Sequence, residues 1–368
     1  VRNDAVQNLV TAIQIANPAF SRLPVVPEVM IYFGGKLLRG NRAIKDDTSG
    51  YTAYRSPNIA SLGEAGDRIV IDEGLIRPRP GSERRFHIRT KLESRVMPLF
   101  IYPGISLDHV QKQLSLPGLK AVIVHAFGSG NIPTHAELLQ AFREARRNRN
   151  IVLAIVSQCR RGPVELGIYE TSAELLEAGF ISGGDLGVEA AQCKLMTLLG
   201  EPDITPEEVE CEYQRSLAGE QSISQHTTLL ADAPWEIVCE EEAARHRLPG
   251  RTLKGGWDPM SIDRALLRLR GGQVSVRDRD SAELLVFVNV DQEQNLDENH
   301  PNYVGKYKKY NMDKSGLVVF DVTKTVKATA SPGARISFTI TTKTADASLS
   351  ARRSELTILV RETSSSGG

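Results

Sequence analysis

Residues 4–17, DAVQNLVTAIQIAN, place Val6, Leu9, Val10, Ile13 and Ala16 at helical spacing, with Asp4 ahead of them as an N-cap. This predicts an amphipathic helix. The apolar run Val29–Phe33 predicts a buried strand ending in a glycine turn, and DRIVIDEGLI predicts a short strand pair. RPRPGSERRFHIRTK, with its two prolines and its basic residues, predicts a surface linker. From Val96 the pattern becomes an alternation. VMPLFIYPGI, KAVIVHAF and IVLAIVSQ are strand-like. Between and after them lie four helix-like segments: SLDHVQKQLSL capped by Ser106, THAELLQAFREARRNR capped by Thr134, SAELLEAGF, and VEAAQCKLMTLLG. Strands separated by helices predict a parallel sheet with helical crossovers. The strands are almost wholly apolar, as burial on both faces requires.

That rhythm stops near Glu220. Residues 221–275 are mixed and polar, with LPGRTLKGGWDP as a loop, and predict a connecting segment. From Ser281 four strand candidates follow: AELLVFVNV, GLVVFDVT, RISFTITTKT and ELTILVRE. With turns such as DENHPN and ASPGA between them, they predict a small β-sandwich over 276–363 and a flexible tail over 364–368.

The 368 residues are enough for two or three domains. The 45 basic and 45 acidic residues cancel, so no surplus of positive charge points to nucleic acid or an anionic membrane as partner. Cys159, Cys193, Cys211 and Cys239 form neither a CxxC pair nor a zinc-ligand spacing. They read as reduced thiols of a cytoplasmic protein, with no metal and no cofactor expected. The first residue is valine, which predicts that the chain starts inside a longer product, so the usual place of a targeting signal is not in view.

Glycine-rich loops follow several strands, and none is a phosphate loop or a dinucleotide fingerprint. Taken in order, however, LRGNRAIK followed by SPN, then IYPGIS, FGSGNIP, SQCRRGPVELGIYETS and GFISGGDLGVEAAQCKL resemble the type I, cytoplasmic L-asparaginases. RNDAVQNLVTAIQIAN resembles the helix that precedes the lysine strand in that family. The resemblance covers roughly residues 1–225. It implies an α/β fold of asparaginase-type parallel sheets with helices on both faces. Residues 1–77 would be the remainder of the N-terminal domain, 78–95 a linker and 96–220 the smaller C-terminal domain. The sandwich would be an addition to that fold.

The resemblance also implies chemistry: hydrolysis of the side-chain amide of asparagine, or glutamine, by a homo-oligomer acting on a small-molecule substrate. The lysine matching Lys45 belongs to a Thr-Lys-Asp set that activates a threonine hydroxyl. A hydroxyl is a poor nucleophile until a base or a nearby cation lowers the cost of its alkoxide, and a desolvated lysine can exchange the proton. Read without the family, Lys45 is a turn lysine balanced by Asp46 and Asp47. The family's threonine motifs, TGGTI and HGTDT, do not occur in these residues. The expectation is therefore an amidohydrolase whose given chain is inactive by itself. The other reading is a non-enzymatic remnant that binds or scaffolds through its sandwich.

Allosteric type I enzymes hold a second asparagine through an arginine at a strand end, the asparagine of GxGN and the cysteine of QC. The matching positions are His125, Asn131 and Cys159. Histidine cannot grip a carboxylate with two parallel hydrogen bonds as arginine does. From the residues alone, His125 reads as a satisfied core histidine and Cys159 as a small buried hydrophobe. The aromatics of the sandwich (Phe287, Tyr303, Tyr307, Tyr310, Phe320 and Phe338) read as core rather than as a binding platform.

Overall fold

The computed structural model describes residues 4–79, 88–133, 135–166, 170–240, 243–253, 258–276, 281–290, 296–310, 316–329, 331, 333–344 and 347–361. Helix α1 (Ala5–Ala16) and the short α2 (Pro18–Ser21) lead into a hairpin of β1 (Met30–Phe33) and β2 (Lys36–Arg39). Its turn is Gly34-Gly35, both with positive φ, and a Cβ at Gly34 would lie 2.3 Å from the Tyr51 carbonyl oxygen. Only glycine meets both demands. The small pair β3 (Ile44–Lys45) and β4 (Tyr54–Arg55) follows, then β5 (Gly63–Ala65) and β6 (Ile69–Ile71). The sheet order is β1-β2-β5-β6, antiparallel throughout. DRIVIDEGLI thus supplies one strand and a 3₁₀ turn instead of a strand pair, because the partner of β6 is β5 just before it.

Helix α1 turns a different face inward from the one its periodicity predicts. Asn8, Thr11 and Ile15 face the hairpin: Asn8 Oδ1 accepts from the Gly34 amide at 3.2 Å, and Ile15 packs with Leu37 and Leu62. Val6, Leu9, Val10 and Ile13 are exposed. Asp4 sits at the N-cap but makes no side-chain capping bond; it accepts from Asn8 Nδ2 instead.

The second unit is a four-stranded, all-parallel sheet of β7 (Val96–Phe100), β8 (Ala121–Ala126), β9 (Val152–Ser157) and β10 (Phe180–Ser182), in sequence order across the sheet. Helices α3 (Leu107–Leu114), α4 (Ala136–Arg149) and α5 (Glu170–Glu177) are its crossovers, and α6 (Val188–Leu199) and α7 (Pro206–Tyr213) follow. Alternate strand residues enter two cores. Val122, Val124, Leu153 and Ile155 pack under α3, α4 and α5, whereas Ile123, Ala154 and Val156 pack under α6 and α7. Ser106 caps α3, its Oγ accepting from the His109 amide at 3.2 Å. At α4 the expected cap, Thr134, lies outside the described residues, and His135 occupies the N-cap without a side-chain bond. Helix α7 was not expected. Its signal was nonetheless present in TPEE: Thr205 and Glu208 form a capping box with proline at the first turn.

The remaining strands are β11 (Ile223–Ala231), β12 (Trp235–Val238), β13 (Ala244–Thr252), β14 (Ile262–Arg270), β15 (Gln273–Val276), β16 (Ser281–Val288), β17 (Tyr303–Tyr310), β18 (Leu317–Asp321), β19 (Arg335–Thr342), β20 (Ala347–Ala351) and β21 (Arg353–Arg361). Helix α8 (Thr323–Thr329) separates β18 from β19. The strands form three antiparallel sheets, ordered β11-β21-β14-β18, β12-β20-β15 and β13-β19-β16-β17, around a main apolar core and a smaller cluster of Leu285, Phe287, Val290 and Leu296. Segment 221–275 is therefore not a connector. It contributes β11 to β15, each paired with a neighbour from elsewhere in the unit. Strand β13, ARHRLPGRT, is too polar and too interrupted by Pro249 and Gly250 to show alternation, and it bulges there against β19. All four strands expected after 276 are present, and Phe287, Phe320 and Phe338 are core residues. The tail 364–368 and the side chains of Tyr307 and Tyr310 lie outside the described residues, as does 80–87 of the expected linker.

The three parts are joined by buried charge. Arg42, just before β3, meets Asp185, just after β10, at 2.6 and 3.2 Å. Ser222, at the start of the β region, donates to the same carboxylate through its amide and hydroxyl, at 2.8 and 2.6 Å. Burial pushes the Asp185 carboxyl up, but the Arg42 hydrogen bonds and charge and the Ser222 bonds outweigh it and hold the group below the usual carboxylate range. Removing one member of a buried pair costs roughly 3–5 kcal/mol. Arg42→Met should lower the unfolding free energy obtained from urea titration by an amount in that range. Adding Asp185→Asn should restore part of the loss, because the orphaned charge goes with it; an additive loss in the double variant would show that the two groups are not coupled.

Candidate active site

Lys45 lies on β3, three residues beyond the Arg42 anchor. The preceding LRGNR is fixed from several sides. Arg39 forms an ion pair with Glu28 and donates to the Leu75 carbonyl at 2.9 Å, and Asn41 Nδ2 donates to the Ala218 carbonyl at 2.8 Å. The Lys45 side chain is exposed, with its Nζ 5.2 Å from the centre of the Tyr54 ring. The neighbouring aspartates do not neutralise it. Asp46 is taken by Arg55 and Arg160, and Asp47 accepts from the Ser49 amide at 2.9 Å. Asp47 is held below its usual range mainly by the Ser49 and Gly50 amides of its own turn.

The motifs of this region converge on one place. Asn58, of SPN, accepts from the Gly162 amide at 2.9 Å and donates to the Asp185 carbonyl at 2.9 Å. It thereby clasps the QCRRG loop to the SGGD loop. Arg160, in the same loop as Gly162, reaches Asp46 beside Lys45. The lysine strand is therefore docked on the loops that leave the carboxyl ends of β9 and β10, the end of a parallel sheet at which ligands bind.

His125, Asn131 and Cys159 lie on loops or strand ends at that same end of the sheet. His125, on β8, is 1% exposed, stacks on Phe100 with ring centres 4.0 Å apart, and among the described residues its Nδ1 has no hydrogen-bond partner. It is a core histidine, but not a satisfied one. Burial lowers its pKa, so it is neutral at pH 7 and carries no charge toward a carboxylate. Asn131 is exposed and closes a bridge with Phe127 through both backbone groups, at 2.9 and 2.8 Å. That turn needs Gly130: its φ is +116°, and a Cβ there would come within 2.8 Å of Val164 Cγ1. Cys159 is exposed, which corrects the expectation of a buried thiol. Gln158 beside it is exposed too, but its Nε2 donates to the carbonyls of Ile101 and His125 at 2.7 Å each. These bonds hold the ends of β7, β8 and β9 together, so the QC pair spends its amide on the scaffold and presents its thiol to solvent. Sequence reasoning did not find Arg39, Arg42, Asn58, Gln158 or Asp185 as fixing residues. Their signal was a set of polar side chains inside motifs whose glycines had drawn attention.

Two further histidines are half-buried. His226 is lowered to about 4, chiefly by desolvation, and His246 is lowered by the same cause. A histidine whose folded-state pKa is depressed binds its proton in the unfolded chain first, so stability falls as pH drops below about 6.5. Glu177 and Glu210, raised above the usual carboxylate value chiefly by burial, act in the opposite direction and offset part of the loss. The melting temperature should therefore decline from pH 7 to pH 5. Replacing His226 by glutamine should flatten the decline; a profile already flat in the unaltered chain would contradict the burial of these rings.

Comparison with known proteins agrees with this geometry. Residues 1–77 match the model of the asparaginase N-terminal domain, and residues 95–211 that of the glutaminase/asparaginase C-terminal domain. L-asparaginase 1 of Escherichia coli (strain K12) is 36% identical over 220 residues, 60% of this chain and 62% of that protein. The 60 kDa lysophospholipase of Homo sapiens is 34% identical over 254 residues, 69% of this chain and 40% of that protein. The crystal structure of L-asparaginase I from Vibrio cholerae superimposes with a TM-score of 0.55 at 33% identity, covering 60% of this chain and 64% of that one. The chain thus spans less than two thirds of the length of these relatives. Two domain models in the family's order, relatives above 30% identity and a shared fold lead to one assignment: through its first 211 residues the chain belongs to the asparaginase family and is homologous to the type I L-asparaginases.

Proposed function

We propose that the chain is the greater part of a cytoplasmic L-asparaginase-type amidohydrolase, converting asparagine and water to aspartate and ammonia, in which Lys45 activates a threonine hydroxyl supplied from outside the given sequence. One observation carries this reading. The lysine strand is pinned by Arg42 and Asn58 to the ligand-binding end of the parallel sheet, while Asp46 and Asp47 are engaged elsewhere and leave the amine for another task. A turn lysine balanced by its neighbours would not show that separation. The exposed apolar face of α1 supports the need for a further segment, since Val6, Leu9, Val10 and Ile13 leave a patch on a unit whose domain model they belong to.

The chemistry follows from the roles. The threonine oxygen attacks the side-chain amide carbon as its proton passes to the amine; the C–N bond then breaks as that proton reaches the departing nitrogen, which leaves as ammonia, and water hydrolyses the resulting threonine ester to aspartate and the free hydroxyl. Lysine suits this exchange because its proton moves on and off a flexible stem. Homo-oligomer formation belongs to the same proposal. Phe100, Tyr102 and Phe127 are exposed together at the carboxyl ends of β7 and β8, where a second copy would cover them. Sedimentation velocity at micromolar concentration should show a species larger than 40.4 kDa that Phe100→Ser and Phe127→Ser shift to the monomer.

The catalytic assignment is tested by ammonia release. The chain alone should release none above background. Extended with a segment bearing the TGGT and GTDT motifs it should turn asparagine over. In that extended protein, Lys45→Met should lower kcat by several orders of magnitude with little change in KM, since loss of an activating group acts on the transition state. Asp46→Asn is the control in the same loop. Equal activity of the two variants would make LRGNRAIK a turn and nothing more.

A further inference from the structure

The asparaginase-type unit and the β region enclose a cavity of about 340 Å³, within the range of small-molecule sites. One wall is the loop 161–166 with Ser182, Gly184 and Asp185; the other comes from β11, β14 and β21. Arg268, on β14, lines it and is 2% exposed. Its Nη1 donates to Thr357 Oγ1 at 3.3 Å and its Nη2 to the Leu166 carbonyl at 3.0 Å, but its Nε has no partner among the described residues. Nor does any carboxylate form an ion pair with it there. The nearby Glu355 is bound to Arg270 at 2.9 Å. A buried guanidinium with an idle donor and no counter-ion is costly unless something completes it. A second buried orphan lines the same cavity: Gln221, 3% exposed, whose Nε2 donates to the Ile223 carbonyl while its Oε1 has no donor among the described residues.

We propose that this cavity binds a small molecule bearing both a carboxylate and an N–H donor, of the size of a free amino acid. The carboxylate completes Arg268 and the N–H completes Gln221. The charges of the lining favour a monoanion over a phosphate. Glu165, Asp185 and Asp263 also face the space, each near or paired with an arginine (Arg264, Arg42 and Arg361), and would repel a second negative charge while welcoming a protonated amine. Arg161, exposed at the loop, adds positive charge to the wall. The cavity shares Asn58, Gly162 and Asp185 with the mooring of the Lys45 strand, but Lys45 does not line it and its defining arginine belongs to the β region, outside both matched domains. It therefore stands whether or not Lys45 is catalytic.

The test is calorimetry and thermal melting of the full chain at constant ionic strength and pH 7, with glycine, acetate, methylammonium and inorganic phosphate as probes. Glycine should bind and raise the melting temperature, and acetate should bind more weakly. Methylammonium and phosphate should do neither. Arg268→Met should weaken glycine at least roughly 30-fold, the effect of removing one partner of a buried charged pair. Gln221→Leu should bring glycine down to the level of acetate, and Lys45→Met should leave glycine binding unchanged. Arg268→Met removes an uncompensated buried charge, so folding should survive; should it fail, Gln225→Trp, which fills the cavity from β11, must abolish the glycine response instead. No response to glycine, an undiminished response in both blocking variants, tighter binding of phosphate, or loss of binding in Lys45→Met would each overturn the proposal.

Discussion

The carboxylate of Asp185 is the point on which the three parts of the chain are assembled. It receives Arg42 from the N-terminal portion and Ser222 from the start of the β region, and it belongs itself to the loop that closes the parallel sheet. An isolated ion in such surroundings would be intolerable, and a lone ion pair would be close to neutral in net energy. Specificity comes from the number of directed bonds converging on one carboxylate. Arg42 also donates to the Glu220 carbonyl at 2.7 Å, and Glu220 pairs with Lys194 at 2.6 Å on α6, so the junction continues as a buried network. A shift of any one part would leave charges without partners. The relative placement of the parts is therefore nearly all-or-none, which hydrophobic contact alone would not ensure.

That constraint explains how the Lys45 strand is positioned with so little regular structure around it. β3 is two residues long and pairs only with the equally short β4. Such a pair has no stability of its own. It borrows position from Arg42 on one side and from Asn58 and Arg160 on the other. Loops that carry function on a rigid scaffold are a common arrangement. Here the rigid element is a set of side-chain bonds to neighbouring loops.

The α/β half was legible because its strands are buried on both faces and its first crossover helix carries a cap, so that apolar runs and Ser106 mark the elements directly. The ordered glycine motifs carried the family, and with it the position of Lys45. What could not be read was which side of a polar residue's ledger it falls on. In α1, Thr11 lies inside and Leu9 outside, because the helix rests on the hairpin through Asn8 and Ile15. In the QC pair both residues are exposed, and it is the glutamine amide that bonds to the scaffold. The strands between 223 and 276 were hidden for a related reason. They are held by pairing with strands far along the chain, and such partners leave no local period.

The pairing of β11 with β21 sets an order of events in the life of the chain. The first strand of the β region finds its partner in the last, some 120 residues later, and β14 pairs with that same late strand. Two of the three neighbours in this sheet thus wait for residues 353–361 to appear. During synthesis the parallel sheet, whose contacts are mostly between successive elements, can form while β11 has no partner and β14 has only β18 to pair with. The interval between those two moments is when this protein is most exposed to pairing with the wrong strand, in its own chain or in another's.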